Sequence, residues 1–355
     1  GRRPPVRGLT YRGPELVSVV EVPDPKPPDE FGAVVRVRTA GICGSDLHIY
    51  HGHGFSPDLG YCLGHEAVGE IAELGSRVDG LAVGDRVLVP ASVGCSSCRQ
   101  CRVGLIARCE TAVRGATVPC YGLSHALPGS QAEAVAVPHA VTNLVPVPPE
   151  VSDADAVVLT DNAPTAWYGA RRGRITPGDT VAVIGLGPVG LMAVQAAQVL
   201  GAAQVYGVDP VASRLARAAE LGAVPIESAD PKGAIRAATG GGVDVAIEAV
   251  GADASIALAI SAVRTGGRVS VIGVSQNKAY PMHLMAAQVK ELEFAIGLCS
   301  VQYELPTLLA LTAGGRLRPA EVVSHRLPLS EGAEAYRLQA SREDGVSKIL
   351  LDPSL

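Results

Sequence analysis

The chain has 355 residues, 47% of them hydrophobic and only 4% aromatic, with 18% charged residues and a net charge of −5. That is room for about two domains with sizeable cores, and the acidic balance leaves no electrostatic footprint for nucleic acid. No uncharged apolar run reaches the roughly 18 residues a membrane span needs, and the arginines of the N-terminus are followed by no apolar leader core, so a cytoplasmic protein is expected.

Residues 1–155 read as β-rich. Short alternating or apolar stretches recur at 16–22, 33–40, 67–74, 86–89 and 132–137, punctuated by proline and glycine. Two short motifs stand among them. GICGSDLH at 41–48 carries Cys43, and LGHEAVGE at 63–70 carries His65 and Glu66. A thiolate and an imidazole are both good zinc ligands. Their spacing alone does not separate a ligand pair from a buried cysteine and a satisfied core histidine. Cys95, Cys98, Cys101 and Cys109 are more telling. Their spacing, C-x2-C-x2-C-x7-C, suits a closed tetrahedral zinc site with no open position for chemistry. Four exposed free thiols would instead be prone to oxidation. Cys62, Cys120 and Cys299 read as ordinary small apolar residues.

The pattern changes near residue 156. Strands near 181, 205, 224, 243 and 269 alternate with helical stretches, the rhythm of a doubly wound parallel sheet. The first strand runs directly into Gly185-Leu186-Gly187-Pro188-Val189-Gly190, an alanine-rich helix follows, and the next strand ends on Asp209. The glycines give a tight turn, room for a cofactor backbone and close helix–strand packing, and the helix N-terminus offers N–H groups to a pyrophosphate. A carboxylate at Asp209 accepts hydrogen bonds from ribose hydroxyls and repels a 2′-phosphate, which favours NAD over NADP. Arg214, five residues on, could offset that preference, but reads better as a solvated helix position. A further strand at 292–298 and a helix at 302–311 precede a mixed tail, expected to pack back on the first domain.

Taken together, GICGSDLH, LGHEAVGE with GDRV behind it, the four-cysteine lobe and GLGPVG with Asp209 appear in one order over nearly the whole chain. In this the sequence resembles the zinc-dependent alcohol dehydrogenases of the medium-chain dehydrogenase/reductase family. The resemblance implies an α/β chain: a GroES-like β-rich catalytic domain, residues 1–155 and 297–355, and a Rossmann doubly wound parallel sheet, residues 156–296, with the active site in the cleft between them. It implies Cys43 and His65 as catalytic zinc ligands and Asp161 as the third; by its residue type alone Asp161 would also serve as a helix N-cap. It makes Glu66 a residue that approaches the metal when bound water leaves, where a pairing with a nearby arginine is the plainer alternative. Asp46 would orient the ligating histidine. Ser45 would take the substrate proton and His48 would end the relay, reached through the nicotinamide ribose; for His48 a surface histidine is the alternative. Thr165 would pack on the nicotinamide ring. Two zinc ions per chain, a small alcohol or carbonyl substrate and a homodimer or homotetramer follow.

Two rivals differ in prediction. The segments 161–165 and 129–133 look somewhat like formaldehyde-handling members that keep NAD tightly bound. A non-catalytic nucleotide-binding or redox-sensing protein on the same fold would lack turnover, although every ligand and relay position is filled here.

Overall fold

The computed structural model describes every residue except 1–2, 115–117, 276, 278 and 342–344. It divides into two compact units, residues 1–164 with 300–355, and residues 165–299.

The first unit opens with a hairpin of β1 (Val6–Gly13) and β2 (Leu16–Val22). The sequence reading placed no strand at β1. Five strands follow: β3 (Ala33–Gly41), β4 (Ala67–Leu74), β5 (Arg86–Val89), β6 (Ala134–Val137) and β7 (Val145–Pro146).

The second unit holds six strands: β8 (Thr180–Ile184), β9 (Gln204–Val208), β10 (Val224–Pro225), β11 (Val243–Glu248), β12 (Val263–Val271) and β13 (Glu293–Ile296). They form one parallel sheet in the order β10-β9-β8-β11-β12-β13. Near-continuous apolar runs such as Val181–Ile184 make the inner strands because both of their faces are covered. The order reverses direction between β8 and β11, and ligands of open α/β sheets bind at such a switch point, beyond the strands' carboxyl ends.

The chain then returns to the first unit with β14 (Val323–Pro328) and β15 (Lys348–Asp352). β15 pairs with β3, completing a seven-stranded sheet in the order β14-β15-β3-β4-β5-β7, with β6 also on β3. One face of it packs a valine- and alanine-rich core around Val35, Ile71, Val87 and Val135. A second core gathers Leu9, Ile42, Ile49, Tyr61, Leu63, Tyr336 and Ile349. Ile42 and Leu63 of that second core are close neighbours in sequence of Cys43 and His65.

Candidate metal centres and dinucleotide site

The turn after β3 delivers Cys43 as the cap of the helix Gly44–Tyr50, and the turn before β4 delivers His65 and Glu66. Asp161 stands just ahead of the helix Asn162–Arg172. Ligand atoms of Cys43, His65, Glu66 and Asp161 lie within 4.8 Å of one another. Cys43 Sγ is 3.2 Å from Asp161 Oδ2, and His65 Nε2 is 3.4 Å from the same oxygen. Ser45 Oγ lies 3.3 Å from His65 Nε2. On the far side of the imidazole, His65 Nδ1 is 3.2 Å from Asp46 Oδ1, and both residues are buried. Neither atom has a well-directed hydrogen-bond partner.

Electrostatics set these groups against one another. Burial and the neighbouring Asp161 carboxylate push the Cys43 thiol up. Burial also raises the Asp161 carboxyl, but hydrogen bonds and charge from His65 outweigh it and hold the group below its ordinary value. Burial lowers the His65 imidazole, yet Asp46 leads the effects that carry it well above its usual range. A thiolate and a carboxylate this close repel each other unless a cation stands among them. The donor set of sulfur, nitrogen and oxygen is one that zinc accepts, so the residues fit that metal. Zinc bound by three such side chains keeps a coordination position open for a water or a substrate.

Two neighbours complete the cluster, neither assigned a role from sequence. Asn162 Nδ2 donates to Cys43 Sγ at 3.6 Å and to Asp161 Oδ2 at 3.3 Å. Lys348, fully buried on β15, pairs with Glu66 and donates to Ile42 O at 2.9 Å. Glu66 therefore pairs with a lysine, where the plainer sequence alternative named an arginine. His48, three residues after Ser45 on the same helix, is half-buried. Burial, then the nearby His53 and His51, lower its pKa.

The four-cysteine lobe is a second centre. Sγ atoms of Cys95, Cys98, Cys101 and Cys109 also lie within 4.8 Å of one another, with Cys98 and Cys109 3.9 Å apart. Backbone N–H groups point at the sulfurs: Cys98 N to Cys95 Sγ at 3.3 Å, Cys101 N to Cys98 Sγ at 3.5 Å and Ala112 N to Cys109 Sγ at 3.3 Å. Burial raises the Cys95 thiol, but hydrogen bonds led by Ser97 overcome it and bring the pKa down to about 5. Donors aimed at sulfur favour thiolate, the form that binds metal.

In the second unit the glycine turn follows β8. Gly185 has φ +87°, a left-handed conformation that favours glycine. A side chain at Gly190 would overlap the Gly185 carbonyl. Gly187 caps the helix Pro188–Val199, with Pro188 in its first turn and Val189 after it. Asp209 braces the turn: Oδ2 accepts from Leu186 N at 2.8 Å and Oδ1 from Val211 N at 2.9 Å. Arg214 departs from the solvated position read from sequence. Its Nη1 is 3.5 Å from Asp209 Oδ2 and its side chain is only 20% exposed. Thr165 is half-buried on the helix Asn162–Arg172.

A β-rich unit with a Cys/His/Asp/Glu centre and a four-cysteine lobe, joined in one chain to a parallel sheet with a glycine turn at its switch point, defines the class of zinc-binding dehydrogenases. The Alcohol dehydrogenase GroES-like domain family matches residues 29–149, and the Zinc-binding dehydrogenase family matches residues 188–314. A probable zinc-binding alcohol dehydrogenase of Mycobacterium tuberculosis is 39% identical over 351 residues, 98% of this chain and 89% of that protein. The solved alcohol dehydrogenase of Thermus sp. ATN1 is 42% identical, with a TM-score of 0.91 over 98% of this chain and 99% of that one. A glutathione-independent formaldehyde dehydrogenase of Pseudomonas aeruginosa is 38% identical over 228 residues, 61% of this chain and 57% of that protein. The chain belongs to the zinc-dependent alcohol dehydrogenases of the medium-chain dehydrogenase/reductase family. It is a zinc-dependent alcohol oxidoreductase acting on a small molecule. Among the described residues, no helix is long and apolar enough to cross a membrane.

Proposed function

We propose that this enzyme interconverts a primary, secondary or polyol alcohol with its aldehyde or ketone, using NAD and two zinc ions per chain. Cys43, His65 and Asp161 hold the catalytic zinc, and Cys95, Cys98, Cys101 and Cys109 hold the structural one. The observation that carries this reading is the cluster itself: ligand atoms of Cys43, of the adjacent His65 and Glu66, and of Asp161, from three separate stretches of the chain, lie within 4.8 Å of one another. When bound, the metal supplies Lewis acidity toward the substrate oxygen and the nicotinamide accepts the hydride.

The chain's own residues do the rest. Cys43 and Asp161 supply two negative charges, and Asn162 donates hydrogen bonds to both. Ser45 Oγ, beside His65, takes the substrate proton. His48, whose pKa burial and then His53 and His51 lower, would end the relay, reached through the nicotinamide ribose. Lys348 pairs with Glu66, the residue that would approach a bound metal when its water leaves. Asp209 favours NAD through its charge, even with Arg214 alongside it. A cytoplasmic location accords with cysteines gathered at metal-ligand spacing. A homodimer or homotetramer built through the nucleotide-binding unit accords with its exposed Leu284, Met285, Val289 and Ile296.

The test combines metal content with turnover of primary, secondary and polyol alcohols, with NAD and NADP in parallel. Two zinc ions per chain and a preference for NAD are expected. Cys43→Ser should keep one zinc and lose about 100-fold or more in turnover. A Cys43→Ser variant with two zinc ions and full activity would sink the assignment. The segments 161–165 and 129–133, with the partial likeness to a formaldehyde dehydrogenase, favour a second reading as a formaldehyde-handling enzyme. Nucleotide retained through purification would select it.

A further inference from the structure

A buried polar chain leads away from the back of His65. Asp46, Gln131 and Tyr336 have no exposed surface, and buried polar groups need partners. Tyr336 Oη donates to Gln131 Oε1 at 2.8 Å. Gln131 Nε2 donates to Asp46 Oδ2 at 3.3 Å and to Gly41 O at 2.9 Å. Asp46 Oδ2 also accepts from Cys43 N at 2.9 Å, while its Oδ1 faces His65 Nδ1. Only one orientation of the amide serves. Flipped, its oxygen would face a carboxylate and a carbonyl, both acceptors. The link is therefore directional.

The backbone clamps Gln131 at this place. Gln131 N donates to Leu63 O at 2.9 Å, its carbonyl accepts from Leu9 N at 2.8 Å, and Ser130 N donates to Gly64 O at 2.9 Å. Gly64, the residue before His65, has φ +86°, and a side chain there would overlap the Gln131 side chain. Tyr336 comes from the helix Gly332–Ser341, beyond the residues matched by either family.

We propose that Gln131 and Tyr336 are positioning residues of the catalytic metal site. They fix the Asp46 carboxylate so that it faces His65 Nδ1, which leaves His65 Nε2 free for the metal. The inference rests on the reading of Cys43, His65 and Asp161 as that site. It makes the helix Gly332–Ser341 part of the metal-binding apparatus, not only a cover for the core.

The test uses the full chain loaded with cobalt(II), whose absorption bands report ligand geometry. It follows the spectrum and the rate of metal release to a chelator in Tyr336→Phe, Gln131→Leu and the double variant. Outer-shell partners are worth about 10–100-fold in metal affinity, so Gln131→Leu should speed release from the Cys43–His65–Asp161 site by about tenfold and shift its bands. Tyr336→Phe should act in the same direction by a smaller factor. The double variant should release metal no faster than Gln131→Leu, because both act through one carboxylate. Bands from the four-cysteine site should stay fixed. Folded variants with wild-type spectrum and release rate, or a double variant whose effect is the product of the two, would overturn the proposal. If Gln131→Leu does not fold, Tyr336→Phe, which removes one oxygen, decides alone. A wild-type chain that takes cobalt only at the four cysteines overturns the metal-site reading itself, and the positioning role with it.

Discussion

Lys348 has no exposed surface. Burial lowers an amine's pKa, but Glu66 outweighs that and holds Lys348 above its ordinary value. Glu66, raised by burial, is drawn back toward ionisation by Lys348. Space for the pair depends on Gly41, where a side chain would run into the Glu66 carboxylate and the Lys348 stem. A buried ion pair adds little over a well-packed apolar pair, but removing one partner strands a charge, at about 3–5 kcal/mol. Lys348→Met is therefore expected to destabilise the protein by about that much in urea unfolding. Adding Glu66→Gln should recover part of the loss, because the stranded charge goes with it. A Lys348→Met variant as stable as wild type would show that the pair holds no buried charge. The sequence offered one signal, a lysine opening the apolar run Lys348–Asp352. It offered no partner, because Glu66 lies 282 residues away.

At the scale of elements, the parallel sheet is held at its centre by more than its ladder. Asp244 on β11 accepts from Thr180 N and Oγ1 at the start of β8, at 2.7 and 2.8 Å, and from Arg264 Nε on β12 at 2.7 Å. One carboxylate thus ties three neighbouring strands. Burial raises its pKa, but these hydrogen bonds prevail and bring it below the ordinary 3.8. With the folded value depressed, the stabilisation is complete above the unfolded pKa and is lost as pH falls through the folded one. Asp244→Asn should lower the melting temperature at pH 7, and the gap to wild type should narrow as pH drops below 3.8. A gap that stays constant down to about pH 2 would refute the linkage. The strands themselves were legible, because β8, β9 and β11 are buried on both faces and read as apolar runs. β1 was not, since Arg7, Gly8 and Arg12 interrupt its pattern.

At the scale of the whole molecule, each unit has its own core, and the second carries an unusual surface. The helix Leu284–Val289 exposes Leu284, Met285 and Val289 at 70, 66 and 74%, and leads into β13 at the open edge of the sheet, where Ile296 is 58% exposed. Large apolar side chains beside a strand that has no outer neighbour among the described residues lead us to expect an association surface here. Sedimentation should find an oligomer, and Met285→Lys with Val289→Lys should yield a smaller species with its fold intact. A wild-type chain that sediments as a monomer would remove this reading.

By itself the sequence determined the four-cysteine lobe, the glycine turn with Asp209 and the alternation of strand and helix. Each is local, written in spacings of a few residues, where turn geometry and ligand chemistry leave few alternatives. Only the tertiary structure decided what surrounds the candidate metal centre. Cys43 and Asp161 are 118 residues apart, and Gln131 and Tyr336 are 205 apart. Side-chain type and periodicity state what a residue can bond, but not which distant residue the fold will bring to it. Asn162, Gln131, Tyr336 and Lys348 acquire their partners when β15 docks on β3, when the helix Gly332–Ser341 joins the core, and when burial leaves each polar group no solvent to turn to.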